Sequence, residues 1–169
     1  ATPGYVLIGA DYSQIELRVM AHVSGDTALV EAFERREDVH NKTAAVVFKV
    51  KPEAVTADMR RQAKVFNFGI MYGMGAYGLT QAAQIDQKEA AQFIAAYFKQ
   101  FSGVKAFMDM MKESAREKGY VETETGRRRY VPEIASNNIQ IARGAERMAI
   151  NMPIQGLAAD IMKLAMIHV

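Results

Sequence analysis

The stretch TADMRRQAKVFNFGIMY, residues 56–72, carries two periodic faces at once. Arg60, Lys64, Phe68 and Tyr72 recur every fourth residue. At about 100° per residue the series drifts by about 40° per step, so the four side chains share one stripe spanning about 120°. Met59, Ala63, Phe66 and Ile70 fall on a separate arc, roughly opposite. The spacing predicts a helix over Thr56 to Tyr72 that buries the apolar arc and leaves two cations, then two aromatics, along about 18 Å. Arg60, Arg61 and Lys64 lie near its start, where cations oppose the helix dipole, so an anion is expected nearby. A triphosphate on Arg60 and Lys64, with a base or sugar on Phe68 and Tyr72, would use the whole stripe. The same residues also read as a solvated basic turn followed by aromatics packed on a neighbour.

Outward from this helix, the pattern is α+β with helix dominant. A short apolar strand is expected at Tyr5 to Ala10, ending in Asp11, followed by a helix from about Gln14 to Ser24 stopped by Gly25. Ser13 and Glu16 match a capping box for that helix. A second helix is expected from Asp38 to Phe48. Beyond Tyr72, a glycine-broken connection through Gly73, Gly75 and Gly78 leads to a helix opened by the capping-box pair Asp86 and Glu89 and running to about Phe101. Another helix runs from Gly103 to Lys118, with Gly119 at the C-cap position. Tyr120 to Val131 reads as a hairpin turning at Thr125 and Gly126, closed by Pro132. Two last helices are expected, Asn137 to Asn151 and Pro153 to Val169, separated by the proline.

Half of the 169 residues are apolar, enough for one sizeable core. A net charge of +2 and a pI near 8.8 are too mild to argue for nucleic acid alone. The case rests on local clusters, Arg60, Arg61 and Lys64, and then Arg127 to Arg129. The absence of cysteine excludes disulfides and cysteine-ligated zinc. The eleven methionines read as core fillers. No apolar run approaches the roughly 20 residues of a membrane span, and a cytoplasmic protein is expected. The absence of an initial methionine, and a helix-like segment running to Val169, read as a fragment. Asp11, at the exposed end of an apolar strand, suits magnesium, which takes one or two carboxylates plus phosphate oxygens; it also reads as the first residue of a turn.

Residues Asp11 to Arg18 resemble motif A of the family A DNA polymerases of the bacterial DNA polymerase I type, and Arg60 to Gly73 resembles motif B, the nucleotide-facing fingers helix. Further similarities follow in order at Asp38 to His40, Gly126 to Tyr130, and Glu146 to Asn151 through Pro153, Gln155 and Gly156. The resemblance implies a fingers subdomain and part of the palm. Residues 1–25 would be the palm strand and helix with motif A, 26–119 the fingers with motif B at about 56–73, and 120–169 the hairpin and palm helices.

The implied activity is template-directed DNA synthesis, with nucleotidyl transfer from a dNTP to a primer 3′ end through two magnesium ions. By this resemblance Asp11 and the backbone carbonyl of Tyr12 are metal ligands, and Arg60 and Lys64 grip the triphosphate as catalytic groups. His40 lies near the phosphates, Phe68 faces sugar and base, and Tyr72 sits by the templating position. Gln14, Ile15 and Glu16 also contact the nucleotide, Glu16 as the steric gate that favours dNTP over NTP. Glu16 together with Tyr72 favours DNA synthesis over the RNA synthesis of the related single-subunit RNA polymerases. Phe68 implies discrimination against dideoxynucleotides. Arg18, Arg147, Asn151 and Gln155 would touch primer-template DNA.

The His-Asp-Glu signature of motif C, which brings the second metal-binding aspartate, does not occur in the sequence. His168 is not that histidine, and Asp160 reads as a structural helix position. The implied partners include the remainder of a polymerase chain, its thumb and motif C palm. The chain alone is expected to be nearly inactive, with nucleotide or DNA binding without turnover as the alternative function.

Overall fold

The computed structural model describes residues 1–169. Its helices are α1 (Ile15–Ser24), α2 (Thr27–Glu34), α3 (Val39–Phe48), α4 (Ala57–Met71), α5 (Ala76–Ala83), α6 (Gln87–Gln100), α7 (Ser102–Lys118) and α8 (Ile139–His168). Between α7 and α8, strands β1 (Tyr120–Glu122) and β2 (Arg128–Tyr130) pair antiparallel with Tyr120 opposite Tyr130. The fold is a helix-dominated α+β arrangement.

Most boundaries follow local chemistry. The Thr56 hydroxyl accepts the Met59 N–H to open α4, and Asp38 accepts the His40 and Asn41 amides to open α3. Asp86 and Glu89 form their reciprocal capping box at α6. Gly25 and Gly119 end α1 and α7 in left-handed conformations, as expected.

All eight helices contribute to one hydrophobic core. Phe66 of α4 is fully buried and meets Phe93 at a centroid distance of 5.0 Å and Phe48 at 6.4 Å. The apolar arc of α4 is thereby spent on packing, with Ala63, Phe66 and Ile70 buried and Met59 half-buried. A smaller cluster, including Ala115, Val121, Val131 and Ala149, seats the hairpin between α7 and α8. Asp26 ties α2 to the start of α7, accepting the Gly103 amide at 2.7 Å.

Five sequence expectations are corrected. Tyr5 to Ala10 forms no strand: β1 pairs only with β2, no strand pairs with residues 5–10, and an unpaired strand leaves its backbone groups to water. Val6, Leu7 and Ile8 are more than 80% exposed, so the segment is not buried either. The Ser13–Glu16 capping box is absent, because Gln14 takes the cap position in a left-handed conformation, φ +55°, without a side-chain cap bond. Residues between Gly25 and Asp38, which the sequence assigned to no element, contain α2, an eight-residue helix capped by Asp26 through the Leu29 amide. The glycine-broken connection contains α5, and Gly78 lies inside it: a Cβ there would come within 2.7 Å of Met74 Cγ, so this glycine makes room for a side chain rather than breaking a helix. Finally, α8 runs unbroken through Pro153. Pro153 is itself buried beside Met152 and Ile154, and packing on both sides of it outweighs one missing backbone bond.

Candidate functional site

The outward stripe of α4 is open along its length: Arg60 and Lys64 are exposed, Phe68 and Tyr72 half-buried. Lys64, Phe68 and Tyr72 line a cavity of about 720 Å³ together with Gly73, Tyr77 and Arg147. Gly73 has φ +76°, and a Cβ on it would stand 3.2 Å from Arg147 Cγ, so the turn after α4 lets α8 bring Arg147 to the rim. His40 is buried beside the same face, its ring 6.0 Å from that of Phe68, which lies 6.4 Å from Tyr72.

The anion expected near the start of α4 is partly supplied within the chain. Arg60 Nε donates to Asp38 Oδ2 at 2.6 Å, and Arg61 bonds Asp58. Asp58 also places a carboxylate in the first turn, where the helix dipole favours it. Of the three cations Lys64 alone has no carboxylate partner. The second basic cluster is likewise engaged: Arg127 bonds Asp160, Arg128 bonds Glu122, and Arg129 donates to Met148 Sδ at 3.3 Å. Asp160 is an ion-pair partner on α8, also accepting the Thr125 hydroxyl at 2.6 Å; these bonds, that from Arg127 foremost, lower its carboxyl to about 2.

At the far end of the stripe three helices converge on one hydroxyl. The Tyr72 hydroxyl lies near Glu16 of α1 and Gln155 of α8. Burial pushes the Tyr72 hydroxyl up to about 12, and the nearby Glu16 carboxylate adds to the effect. Gln14 and Asn151 lie half-buried, and the side-chain oxygens Gln14 Oε1 and Asn151 Oδ1 are enclosed without a hydrogen-bond partner. Such atoms are uncommon in folded chains. Ile15 packs half-buried against the main core.

Asp11 and Tyr12 lie elsewhere, exposed, in clefts between the start of α1 and the end of α8 lined by residues such as Arg18, His22, Leu157 and Met162. None of these clefts includes Arg60, Lys64, Phe68 or Tyr72. Arg18 is engaged within the chain, donating to the Ser13 carbonyl at 3.0 Å and lying 4.6 Å above the Phe33 ring. No three His, Cys, Asp or Glu side chains converge to hold a metal ion. With Asp11 as a lone carboxylate, the residues of this chain do not by themselves fit a pair of magnesium ions.

Two residues of the site carried no role in the sequence reading. Asp38 was visible only as part of the similarity at Asp38 to His40, and its bond to Arg60 joins positions 22 apart. Asn67 lies at the border between the stripe and the apolar arc of α4, about 20° from Arg60 by helical geometry. It is fully buried and bonded to both His40 and Thr43. A polar side chain at that border was the available signal.

The whole chain, residues 1–169, matches the sequence profile of DNA polymerase family A. The chain belongs to DNA polymerase family A. It is 56% identical over 165 residues to DNA polymerase I of Geobacillus stearothermophilus, covering 98% of this chain and 19% of that protein. To DNA polymerase I of Pseudomonas aeruginosa it is 52% identical over 169 residues, covering 100% of this chain and 18% of the relative. Among solved structures, the POL domain of Pol1 from M. smegmatis, in complex with DNA primer-template and dNTP, superposes with a TM-score of 0.88 at 48% identity, over 93% of this chain and 28% of that one. This family A chain thus spans about a fifth of the length of the curated relatives it matches. None of its helices is long and apolar enough to cross a membrane.

Proposed function

We propose that this chain is the nucleotide-facing part of a template-directed DNA polymerase, with nucleotidyl transfer from a dNTP to a primer 3′ end as the activity of the whole enzyme. The observation that carries the reading is the open stripe of α4, with His40 and Arg147 beside it and Glu16 and Gln155 near its end. Lys64 and the terminal nitrogens of Arg60 bind triphosphate oxygens, since Asp38 occupies only the Arg60 Nε. Phe68 offers a flat face to the sugar and base. Tyr72 buttresses Glu16, whose side chain then excludes a ribose 2′-hydroxyl. Arg147, Asn151 and Gln155, along one face of α8, contact primer-template DNA, with Gln14, Ile15 and Arg18 near the incoming nucleotide and primer end. In this reading α2 to α7 belong to the fingers, and α1, the hairpin and α8 to the palm.

Asp11 and the Tyr12 carbonyl are this chain's contribution to a magnesium site that other parts of the enzyme complete. What the chain does by itself is bind and orient. The convergence of fewer than three metal-ligating side chains favours a second reading for the chain in isolation, binding without turnover.

The test is primer extension by DNA polymerase I of Geobacillus stearothermophilus carrying residues 1–169 in place of its matching segment. The chimera is expected to extend a primed template. Lys64→Ala should lower kcat/KM for dNTP by about 10- to 100-fold, the loss of one charge-assisted phosphate contact of about 1.5–3 kcal/mol. A folded chimera that binds primer-template and never extends it refutes the reading. Extension by the isolated chain refutes the second reading.

A further inference from the structure

The buried polar residues of α3 and α4 hold one arrangement that the nucleotide reading does not require. Thr43 Oγ1 donates to Asn67 Oδ1 at 2.9 Å, and Asn67 Nδ2 stands 2.8 Å from His40 Nδ1. Asn67 is 0% exposed, and Thr43 and His40 are each 2% exposed. We propose that Thr43 and Asn67 are positioning residues that fix His40 as the neutral tautomer protonated on Nε2, a hydrogen-bond donor presented beside the cationic end of the α4 stripe.

An amide N–H donates, so His40 Nδ1 must offer its lone pair to Asn67 Nδ2, and the ring proton resides on Nε2. An imidazolium would set the Nδ1 proton against the amide protons. The reversed amide would let Nδ1–H donate to Oδ1, but it would turn Nδ2 toward the Thr43 hydroxyl. That hydroxyl has no other hydrogen-bond partner, so its own proton would then be buried and unsatisfied. Nε2 makes no hydrogen bond within the chain, yet the only fully enclosed polar atoms without partners are those of Gln14 and Asn151, so Nε2 keeps access to solvent.

The surrounding charges agree. Burial lowers the His40 pKa, Arg60 and Lys64 lower it further, and Asp38 alone opposes them. A neutral ring with an N–H donor adds a directed hydrogen bond to an anionic oxygen without a third like charge beside Arg60 and Lys64. That the anion is a nucleotide phosphate rests on the function proposed above; the tautomer does not.

The experiment is long-range proton–nitrogen correlation on the histidine rings of the nitrogen-15-labelled chain, which has three histidines. Near neutral pH, His40 should show an unprotonated Nδ1 and a protonated Nε2. Asn67→Asp places an acceptor against Nδ1, so it should move the proton there and raise the His40 midpoint by about one unit or more. Thr43→Val, close in shape, should leave His40 as a mixture of tautomers; circular dichroism establishes that each variant is folded. A wild-type ring protonated on Nδ1, or a folded Asn67→Asp whose His40 titrates unchanged, overturns the proposal. Added dATP should shift the Nε2 resonance in the wild type, and Lys64→Ala should need about 10- to 100-fold more dATP for the same shift. The Nε2–H tautomer without any response to dATP supports the positioning role and counts against the nucleotide reading. A dATP response from an Nδ1–H ring overturns the proposal and leaves that reading standing.

Discussion

Asp38 performs two tasks whose energies can be separated by substitution. Its Oδ1 accepts the His40 and Asn41 amides at 2.9 and 3.1 Å and caps α3, while its Oδ2 takes Arg60 Nε at 2.6 Å. Loss of such a cap costs about 0.5–2 kcal/mol. The ion pair is between side chains 45% and 37% exposed, so solvent screening limits it to about 0–1 kcal/mol. Asp38→Ala removes both and should cost about 0.5–3 kcal/mol, whereas Asp38→Asn keeps a good cap and should cost under about 1 kcal/mol. With a urea slope of about 2 kcal/mol/M, the alanine variant should shift the unfolding midpoint by about 0.25–1.5 M. Partial burial raises the Asp38 carboxyl, but the Arg60 bond, the Asn41 amide and the His40 amide outweigh it and hold the carboxyl below the usual range. A depressed folded value means that this stabilisation is present above the unfolded pKa near 3.9 and is lost as pH falls through the folded value. Wild type and Asp38→Asn should therefore differ by a constant amount at neutral pH and converge below about pH 4. Urea unfolding followed by circular dichroism at pH 7 and pH 3 measures both. Equal costs for Asn and Ala at pH 7 would refute the separation and make the ion pair the dominant contribution.

Tyr72, held protonated by burial and by the nearby Glu16 carboxylate, should be among the last tyrosines to ionise, near pH 12. Because its folded pKa is raised, its stabilisation is complete below the unfolded value near 10 and lost as pH rises through about 12, which ultraviolet titration of wild type against Tyr72→Phe will resolve. In the enzyme, Tyr72→Phe should also free Glu16 and raise incorporation of ribonucleotides relative to deoxynucleotides in primer extension. Phe66→Ala empties the centre of the aromatic cluster with Phe48 and Phe93 and should cost about 3–5 kcal/mol in denaturant unfolding; a loss under about 1.5 kcal/mol would mean that the cluster collapses into the space.

What could be read from the sequence was whatever a single segment decides. The α4 faces and its start at Thr56, the capping box of Asp86 and Glu89 and the stops at Gly25 and Gly119 all depend on residues within a few positions of one another. Strand status at Tyr5 to Ala10 depends on a hydrogen-bonding neighbour, which no apolar run can supply for itself. The short helices α2 and α5 gain little from propensity and form through burial of Leu29, Ala32 and Leu79. In the candidate site, the stripe was legible and its counter-ions were not. The bond from Arg60 to Asp38 and the approach of Glu16 and Gln155 to Tyr72 bring separate segments together, so no periodicity announces them.

The engagement of Arg60 by Asp38 appears at first to weaken the case for an anion on α4, since the helix already holds one. The magnitudes point the other way. An exposed ion pair contributes about 0–1 kcal/mol, whereas hydrogen bonds to a charged phosphate contribute about 1.5–3 kcal/mol each, so a triphosphate would prevail even if the two competed outright. They need not compete, because Asp38 takes Nε and leaves both terminal nitrogens of the guanidinium free. The carboxylate then acts as an orienting group: it restricts one of the most flexible side chains before the ligand arrives and lowers the entropy lost on binding. Lys64, with no partner, has no such preparation and supplies charge rather than direction. In the proposed nucleotide reading, the direction of phosphate recognition would reside in Arg60 and in the Nε2–H of His40, and Lys64 would govern its salt dependence. Raising the salt concentration should therefore weaken dNTP binding less steeply in Lys64→Ala than in the unaltered chain.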